Sequence, residues 1–354
     1  MRSPLRHSEN AAVLEGIAGY VPERMVVNDA LPGAWSVDDA WVRRRTGIGE
    51  RRRVTAGVTT GDLALEAGRR ALAAAGHTTV DAVIVTTSTP DRPLPAMAPR
   101  LATALGLDAA AAWDVNVTCS GFVYGLATAT GTLLAGCAER VLLVAAEVYS
   151  TLVDPEDRST GSTFGDGAAA LVLRRGLRGE PGSILAFDLG GDGTGDDLIQ
   201  VPGGGARERA DPAAYGPRER SFRMRGHEGF QHAVTRMTQS AHMALKNAGW
   251  SARDVDRFCG HQADARILAA VGARIPVPED RHVTDSEQAG STGAASIPLA
   301  LADAAARGVL QTGDRVLLTA FGAGLTWGSA ALLWPAIEPA ARPGPFECVA
   351  GSAV

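Results

Sequence analysis

The sequence predicts a duplicated α/β protein, on three observations. "VDAVIVTT" from Val80 echoes "VDRFCGHQ" from Val255, and "ERVLLVAAE" from Glu139 echoes "DRVLLTAFG" from Asp314, with the same spacing of 175 residues in both pairs. The segments at Val80 and Val255 each follow an Ala-rich helical stretch ending in Ala-Gly, "ALEAGRRALAAAG" and "TQSAHMALKNAG". The runs "DAVIVTT" and "RVLLVAA" are continuously apolar, as strands are when helices cover both faces of their sheet. One offset shared by two separate strands argues for a repeated unit, with the halves at residues 1–176 and 177–354.

Each half reads in order as helix, apolar strand, crossover, helix, apolar strand and a closing hairpin. Apolar residues make up 45% of the 354-residue chain, enough to bury a sizeable core, but aromatics are only 5%, so Ala, Val and Leu fill it. Gly191–Ser221 is rich in Gly, Pro and charge and reads as a loop or lid between the halves. Its "GDGTGDD" misses the spacing of a calcium-binding loop, and no metal is expected. The tail after Pro335 reads as frayed.

A net charge of -5 and a pI of 5.8 do not call for nucleic acid. The four cysteines, Cys119, Cys137, Cys259 and Cys348, form no CxxC or framework pattern and read as reduced thiols. No apolar run reaches the ~18 residues that a membrane span needs. The chain therefore reads as soluble and cytoplasmic, without a membrane partner.

The chemistry centres on "DVNVTCSGFVYG", Asp114–Gly125. "AAAAWDVNV" before the cysteine reads as a strand edge, and "GFVYGLATATGTLLAG" after it has apolar residues at helical spacing. Cys119 thus stands at a strand-to-helix corner, where a helix start is expected to lower its pKa. The 175-residue offset carries Cys119 onto Ala294 in "GSTGAASIP". A two-fold pseudosymmetric body brings the two corners together, with "CGHQAD" as a third contributor. His261, at an apolar strand end, is then the partner for a nucleophile-and-base constellation with Cys119, whereas Cys137, Cys259 and Cys348 read as ordinary thiols.

The stretches "WVRRRTGIGERR", "DVNVTCSGFVYG", "DRSTGSTFGDGAAALVL", "GHQADARI", "GSTGAASIPLAL" and "AFGAGLTWGSA" resemble, in order and spacing, the ketoacyl-ACP synthase III branch of the thiolase-like enzymes. The resemblance runs from "GIAGYVPERMVVND" to "GLTWGSAAL". It implies a five-layered αβαβα thiolase-like fold, a homodimer paired through "ERVLLVAAE" or a neighbouring strand, and ping-pong acyl transfer through an acyl-cysteine. Acyl-CoA or an acyl carrier protein supplies the substrate, and no separate cofactor is needed.

By the same resemblance Cys119 is the nucleophile, His261 the active-site histidine, and Gly324 with the Cys119 N–H the oxyanion hole. Phe122 matches a gate between acyl and malonyl sites. Trp41, Arg45 and Arg158 match a CoA pocket, and Arg266 a carrier-protein contact. Gln231 stands where the family has a basic carrier contact. The main departure is Gly290-Ser291-Thr292 in place of Gly-Asn-Thr. In condensing relatives that Asn and the His stabilise the enolate formed as carbon dioxide leaves. Serine keeps one O–H donor on a shorter arm. Two second half-reactions follow: condensation with malonyl-ACP, or transfer to an alcohol or amine. Specialised, polyketide-type metabolism fits better than housekeeping fatty-acid synthesis. A non-catalytic partner subunit is a further alternative, which the intact Cys119 and His261 oppose.

Overall fold

The computed structural model describes residues 9–337. Cys348 and nearly all of the tail after Pro335 lie outside the described residues.

The N-terminal half builds strands β1 (Asn10–Tyr20), β2 (Ala82–Thr86), β3 (Ala111–Val115), β4 (Arg140–Val148) and β5 (Asp166–Leu177), in sheet order β1-β5-β4-β2-β3. The C-terminal half builds β6 (Ile184–Gly191), β7 (Arg257–Gly260), β8 (Arg315–Gly322) and β9 (Thr326–Leu333), in order β7-β8-β9-β6. The pairing senses repeat. β2 runs parallel to β4 as β7 does to β8, and the hairpin β4–β5 is antiparallel as β8–β9 is. β3 has no full counterpart; a single parallel bridge between Phe258 and His282 stands in its place.

The longer helices are α1 (Asp39–Thr46), α2 (Thr60–Ala75), α3 (Ala98–Ala104), α4 (Gly121–Leu134), α5 (Gly226–Ala248), α6 (Ala265–Arg274) and α7 (Ser296–Ala306). α2 is fixed at both ends by its own sequence. Thr59 and Asp62 form a capping box, and Gly76 takes the left-handed C-terminal position at φ 68°. α2 packs on β1, β4 and β5, and α5 packs on β6, β8 and β9. α4 and α7 lie between the sheets and touch both. The result is the five-layered αβαβα thiolase-like arrangement. The middle layer can be thin because α4 and α7 are mostly Ala, Gly, Ser, Thr and Leu. The pairs β2/β7, β4/β8 and α4/α7 begin 175 residues apart, the offset legible in the sequence.

Two expectations change. "ERVLLVAAE" cannot pair across a dimer axis, because β4 is hydrogen-bonded on both sides, to β2 and to β5. The open edge on that side is β3, the strand before the Cys119 corner. Gly191–Ser221 is not a bare loop. It holds the short strand Ile199–Gln200, which pairs with Arg223–Met224, and the helix Ala206–Ala210. The Phe222 N–H donates to Leu152 O at 2.8 Å, which ties the end of this segment to the N-terminal half.

Candidate active site

Cys119 occupies a 3-10 turn, Thr118–Ser120, that opens α4. The equivalent turn Gly293–Ala295 opens α7, and the two corners meet: a Cβ on Gly121 would lie 3.1 Å from the Ala294 Cβ. Thr118 has φ 45°, a left-handed conformation costly for a β-branched residue, and such strain gathers at functional turns. The end of β8 presses on this turn. A Cβ on Gly322 would sit 3.0 Å from both the Cys119 and Ser120 nitrogens, so only glycine allows the approach.

Cys119, His261, Ser291, Gly322 and Ala323 line one pocket. Gly324, the expected oxyanion residue, is not on that wall; its φ is 127°, and a Cβ there would meet Thr326. Ala323 lines the pocket instead. The string "GAG" offered two glycines, and only the path of the β8–β9 turn distinguishes them from Ala323. Phe122 is not a gate in this structure. It is 1% exposed and packs in the core with Leu14, Leu126 and Leu318, because the first turn of α4 points it away from the pocket. The aromatic wall comes from Tyr149, Phe164 and Phe222, with the first two rings stacked at 4.8 Å. Phe222 follows the Gly191–Ser221 segment, and Ile199 within it also lines the pocket.

The expected low thiol pKa is reversed. The residue is only partly buried on the pocket wall, yet the protein packed around it pushes the thiol up to about 12. The charge of Glu147 adds to the rise, and a hydrogen bond from Tyr149 opposes it. The physical reason is magnitude. A helix terminus supplies about 0.3–1 kcal/mol, less than one pKa unit. Desolvation can move a fully buried group by about 3–5 units.

His261 follows β7 directly and is 5% exposed. Burial holds it down at about 4, so the ring is neutral at physiological pH. Its Nδ1 lies 2.7 Å from Ser296 Oγ, which also receives the Gln262 N–H at 3.2 Å. With that N–H as donor, the serine proton is free for Nδ1, and in that arrangement the ring proton sits on Nε2. Ser291 is fixed by its backbone, donating to Thr163 O at 2.9 Å and accepting from Gly165 N at 3.0 Å. Its Oγ is buried without a hydrogen-bond partner among the described residues. An unpaired buried hydroxyl on a pocket wall is an offer to a ligand.

Glu147, Tyr149, Ser88 and Ser296 were missed in the sequence. Glu147 had a signal, a carboxylate ending the apolar run of β4. It is fully buried and receives Ser88 N–H at 3.1 Å, Ser88 Oγ–H at 2.9 Å and Thr89 Oγ1–H at 2.9 Å. Burial pushes it up to about 7.

At the mouth, Arg45 borders the pocket, and the guanidiniums of Arg45 and Arg158 lie 5.3 and 5.4 Å from the Trp41 ring centroid. The structure thus brings these three together, from α1 and from the short helix Arg158–Gly161. Arg266 is also on the rim, paired with Asp264 at 2.6 Å, while Gln231 is exposed and bonded to His227. Cys137 is exposed and far from this set in the fold, at the other end of α4; Cys259 is buried in β7.

Comparison with known proteins gives the family and the fold. Residues 113–193 match the family 3-Oxoacyl-[acyl-carrier-protein (ACP)] synthase III, and residues 245–334 match its C-terminal part. The chain is 54% identical over 327 residues to beta-ketoacyl-(acyl-carrier-protein) synthase III 5 of Streptomyces coelicolor, covering 92% of this chain and 98% of that one. The crystal structure of 3-oxoacyl-(acyl carrier protein) synthase III from Pseudomonas aeruginosa PAO1 superposes with TM-score 0.87 at 46% identity, covering 93% of this chain and all (100%) of the other. The priming beta-ketosynthase of the R1128 polyketide pathway superposes with TM-score 0.86 at 32% identity, covering 96% and 99%.

Proposed function

The chain belongs to the 3-oxoacyl-(acyl-carrier-protein) synthase III family, and on that premise we propose that it takes an acyl group from acyl-CoA or an acyl carrier protein onto Cys119 and condenses it with a malonyl thioester. Cys119 Sγ attacks the thioester carbonyl. The backbone N–H groups of Cys119 and Ala323 stabilise the tetrahedral oxyanion, and the acyl-cysteine forms as the first thiol leaves. Malonyl thioester then enters and loses carbon dioxide, and its enolate carbon attacks the acyl-cysteine carbonyl, forming the C–C bond as the C–S bond breaks and Cys119 leaves as the thiolate.

One observation carries the choice of condensation: His261 is neutral and its Nδ1 is engaged by Ser296, which leaves Nε2 for a ligand, as a donor when Ser296 gives its proton to Nδ1. A donor suits the thioester oxygen of an enolate. A general base for an alcohol or amine acceptor would need a free ring nitrogen facing the pocket. Ser291 offers the second donor through its unpaired Oγ.

Ser291 also keeps one competing outcome in play. A single short hydroxyl is a weaker enolate stabiliser than an amide, which favours acyl transfer to oxygen or nitrogen instead. The polyketide priming synthase among the structural relatives supports a place in specialised metabolism. Dimer formation through the β3 edge belongs to the same proposal.

Intact-mass measurement against a panel of acyl-CoAs and acyl carrier proteins tests the first half. One acyl mass is expected on the wild type and none on Cys119→Ala, while Cys137→Ala still loads. Radiolabelled malonyl carrier protein, offered beside alcohol and amine acceptors, tests the second half. Loading of Cys119→Ala to full extent sinks the mechanism. Product only from the alcohol or amine replaces condensation with acyl transfer.

A further inference from the structure

A neutral histidine can serve as a donor or as a base, and at His261 one hydroxyl behind the ring decides which. The ring lines the pocket with Cys119, and among the described residues no protein group is hydrogen-bonded to its Nε2. Its Nδ1 meets Ser296 Oγ at 2.7 Å. Ser296 is the first residue of α7 and is 1% exposed.

The roles follow from counting donors at Ser296. The Gln262 N–H, with its nitrogen 3.2 Å from Ser296 Oγ, is a backbone donor and can be nothing else. The Gln262 side chain anchors it, since Nε2 donates to Gly260 O at 2.6 Å and to Val283 O at 3.3 Å. Ser296 Oγ therefore accepts from Gln262. Among the described residues, the one other group bonded to Ser296 Oγ is Nδ1 of His261. If Nδ1 carried the ring proton, Ser296 would accept twice, and its own buried proton would have no acceptor. An unsatisfied buried donor weighs about 10-fold or more against that tautomer. The other arrangement satisfies every group: Ser296 gives its proton to a bare Nδ1, and Nε2 carries the ring proton.

We propose that Ser296 is a positioning residue that makes His261 a donor and not a base, and so commits the second half-reaction to condensation. A bare Nε2 would be the base that an alcohol or amine acceptor requires. The Nε2–H is instead a second donor on the wall that holds the buried, unpaired Ser291 Oγ. Two donors on one thioester oxygen suit an enolate. The placement is firm. The His261 N–H donates to Thr319 O of β8 at 2.9 Å, while the ring is tied to α7 through Ser296.

The titratable groups that share the pocket with the ring are few. Cys119 and Tyr149 are held neutral by the protein packed around them, and Asp264, Arg266 and Arg45 stand at the rim. Burial is the cause of the low value of the ring, about 4, so the influence of Ser296 is read without a charge partner.

The inference rests on the proposed function for what the donor serves, and its first test needs no substrate. Nitrogen-15 spectra of histidine-labelled protein, with the His261 signals identified by their loss in His261→Ala, report which ring nitrogen carries the proton. Near neutral pH the wild type is expected to show Nε2–H; Nδ1–H overturns the proposal. The same spectra follow the acid titration of the ring. A donor to the neutral ring opposes protonation, so Ser296→Ala is expected to raise the midpoint from about 4 by about one pH unit. A serine that accepted from Nδ1–H would favour the charged ring, and its removal would lower the midpoint. A fall, or no change, overturns the proposal. Ser296→Thr keeps the hydroxyl and is expected to keep the wild-type midpoint. With labelled malonyl carrier protein, Ser296→Ala is expected to release carbon dioxide about 10-fold or more slowly, a larger loss than it shows in acyl loading. Equal losses in the two steps make Ser296 a packing residue and overturn the positioning role. Should Ser296→Ala fail to fold, the wild-type tautomer decides alone. A wild type that leaves malonyl thioester intact counts against condensation while both nitrogen readings stand, so the two failures are told apart.

Discussion

Ser291 carries the sharpest prediction at the scale of a single residue. Its Oγ is buried and unpaired on the wall it shares with Cys119 and His261, so it can give one hydrogen bond to a bound thioester. Losing or misplacing one oxyanion-type donor costs about 2.7–4 kcal/mol. Ser291→Asn is therefore expected to raise malonyl decarboxylation by about 10-fold or more while leaving acyl loading within a few-fold, because loading uses backbone donors. Release of labelled carbon dioxide measures it; brisk release in the wild type and none gained in the variant means serine suffices. Glu147 supplies a prediction about stability. Its folded pKa of about 7 stands above the 4.5 of an unperturbed glutamate, so its contribution is intact below about 4.5 and is lost as pH rises through 7. By linkage the ionised, buried carboxylate costs about 3 kcal/mol above pH 7. Glu147→Gln is expected to melt at a higher temperature than the wild type at pH 8 and to lose most of that advantage at pH 4.5. Equal gaps at the two pH values would show that the residue does not titrate on folding.

The elements that matter most are short. α1 begins at an Asp38 cap, whose carboxylate accepts the Trp41 N–H, and ends at Gly47 with φ 81°. That one helix sets Trp41 and Arg45 four residues apart on one face, with Arg158 brought in by the short helix Arg158–Gly161. An indole between guanidiniums suits an adenine ring and its phosphates. Trp41→Ala is expected to raise KM for acyl-CoA several-fold more than KM for the acyl carrier protein. Equal rises for the two donors would make Trp41 a purely structural residue. The string "RRRTGIGERRR" did not reveal this division of labour. Arg51 within it is fully buried and bonded to Val26 O and Ser162 O, while Arg45 faces the pocket mouth. Both are arginines in one charge run, and only packing separates them.

At the scale of the whole molecule, the open edge of the N-terminal sheet decides how copies can meet. β3 pairs in parallel with β2 on one side only, and Ala112 lies on its outward-facing register, since Ala111 N–H bonds inward to Asp81 O. Two such edges related by a two-fold axis run antiparallel and extend one sheet through both copies. A dimer is expected in dilute sedimentation, and Ala112→Pro, which removes an outward N–H without touching the inner ladder, is expected to shift it toward monomer. A monomeric wild type of full activity would refute pairing through β3.

What the sequence determined by itself was whatever repeats or alternates along the chain. The 175-residue echo predicted which strands and helices correspond, and the Cys119 corner and the His261 strand end were visible as local patterns. Those features survive because hydrophobic period and turn chemistry act over a few residues. Tertiary structure alone decided the rest. Whether Phe122 faces core or pocket depends on how α4 is rotated between two sheets, and whether Ala323 or Gly324 lines the pocket depends on the course of one turn. The thiol pKa was the plainest reversal, since burial is a property of everything packed around Cys119, whereas the helix start that was expected to lower it is local and weak. Glu147 shows the same division: a lone carboxylate in an apolar strand is legible as unusual, but its bond to Ser88, which in turn meets Tyr149 on the pocket wall, joins residues that only the folded chain brings together.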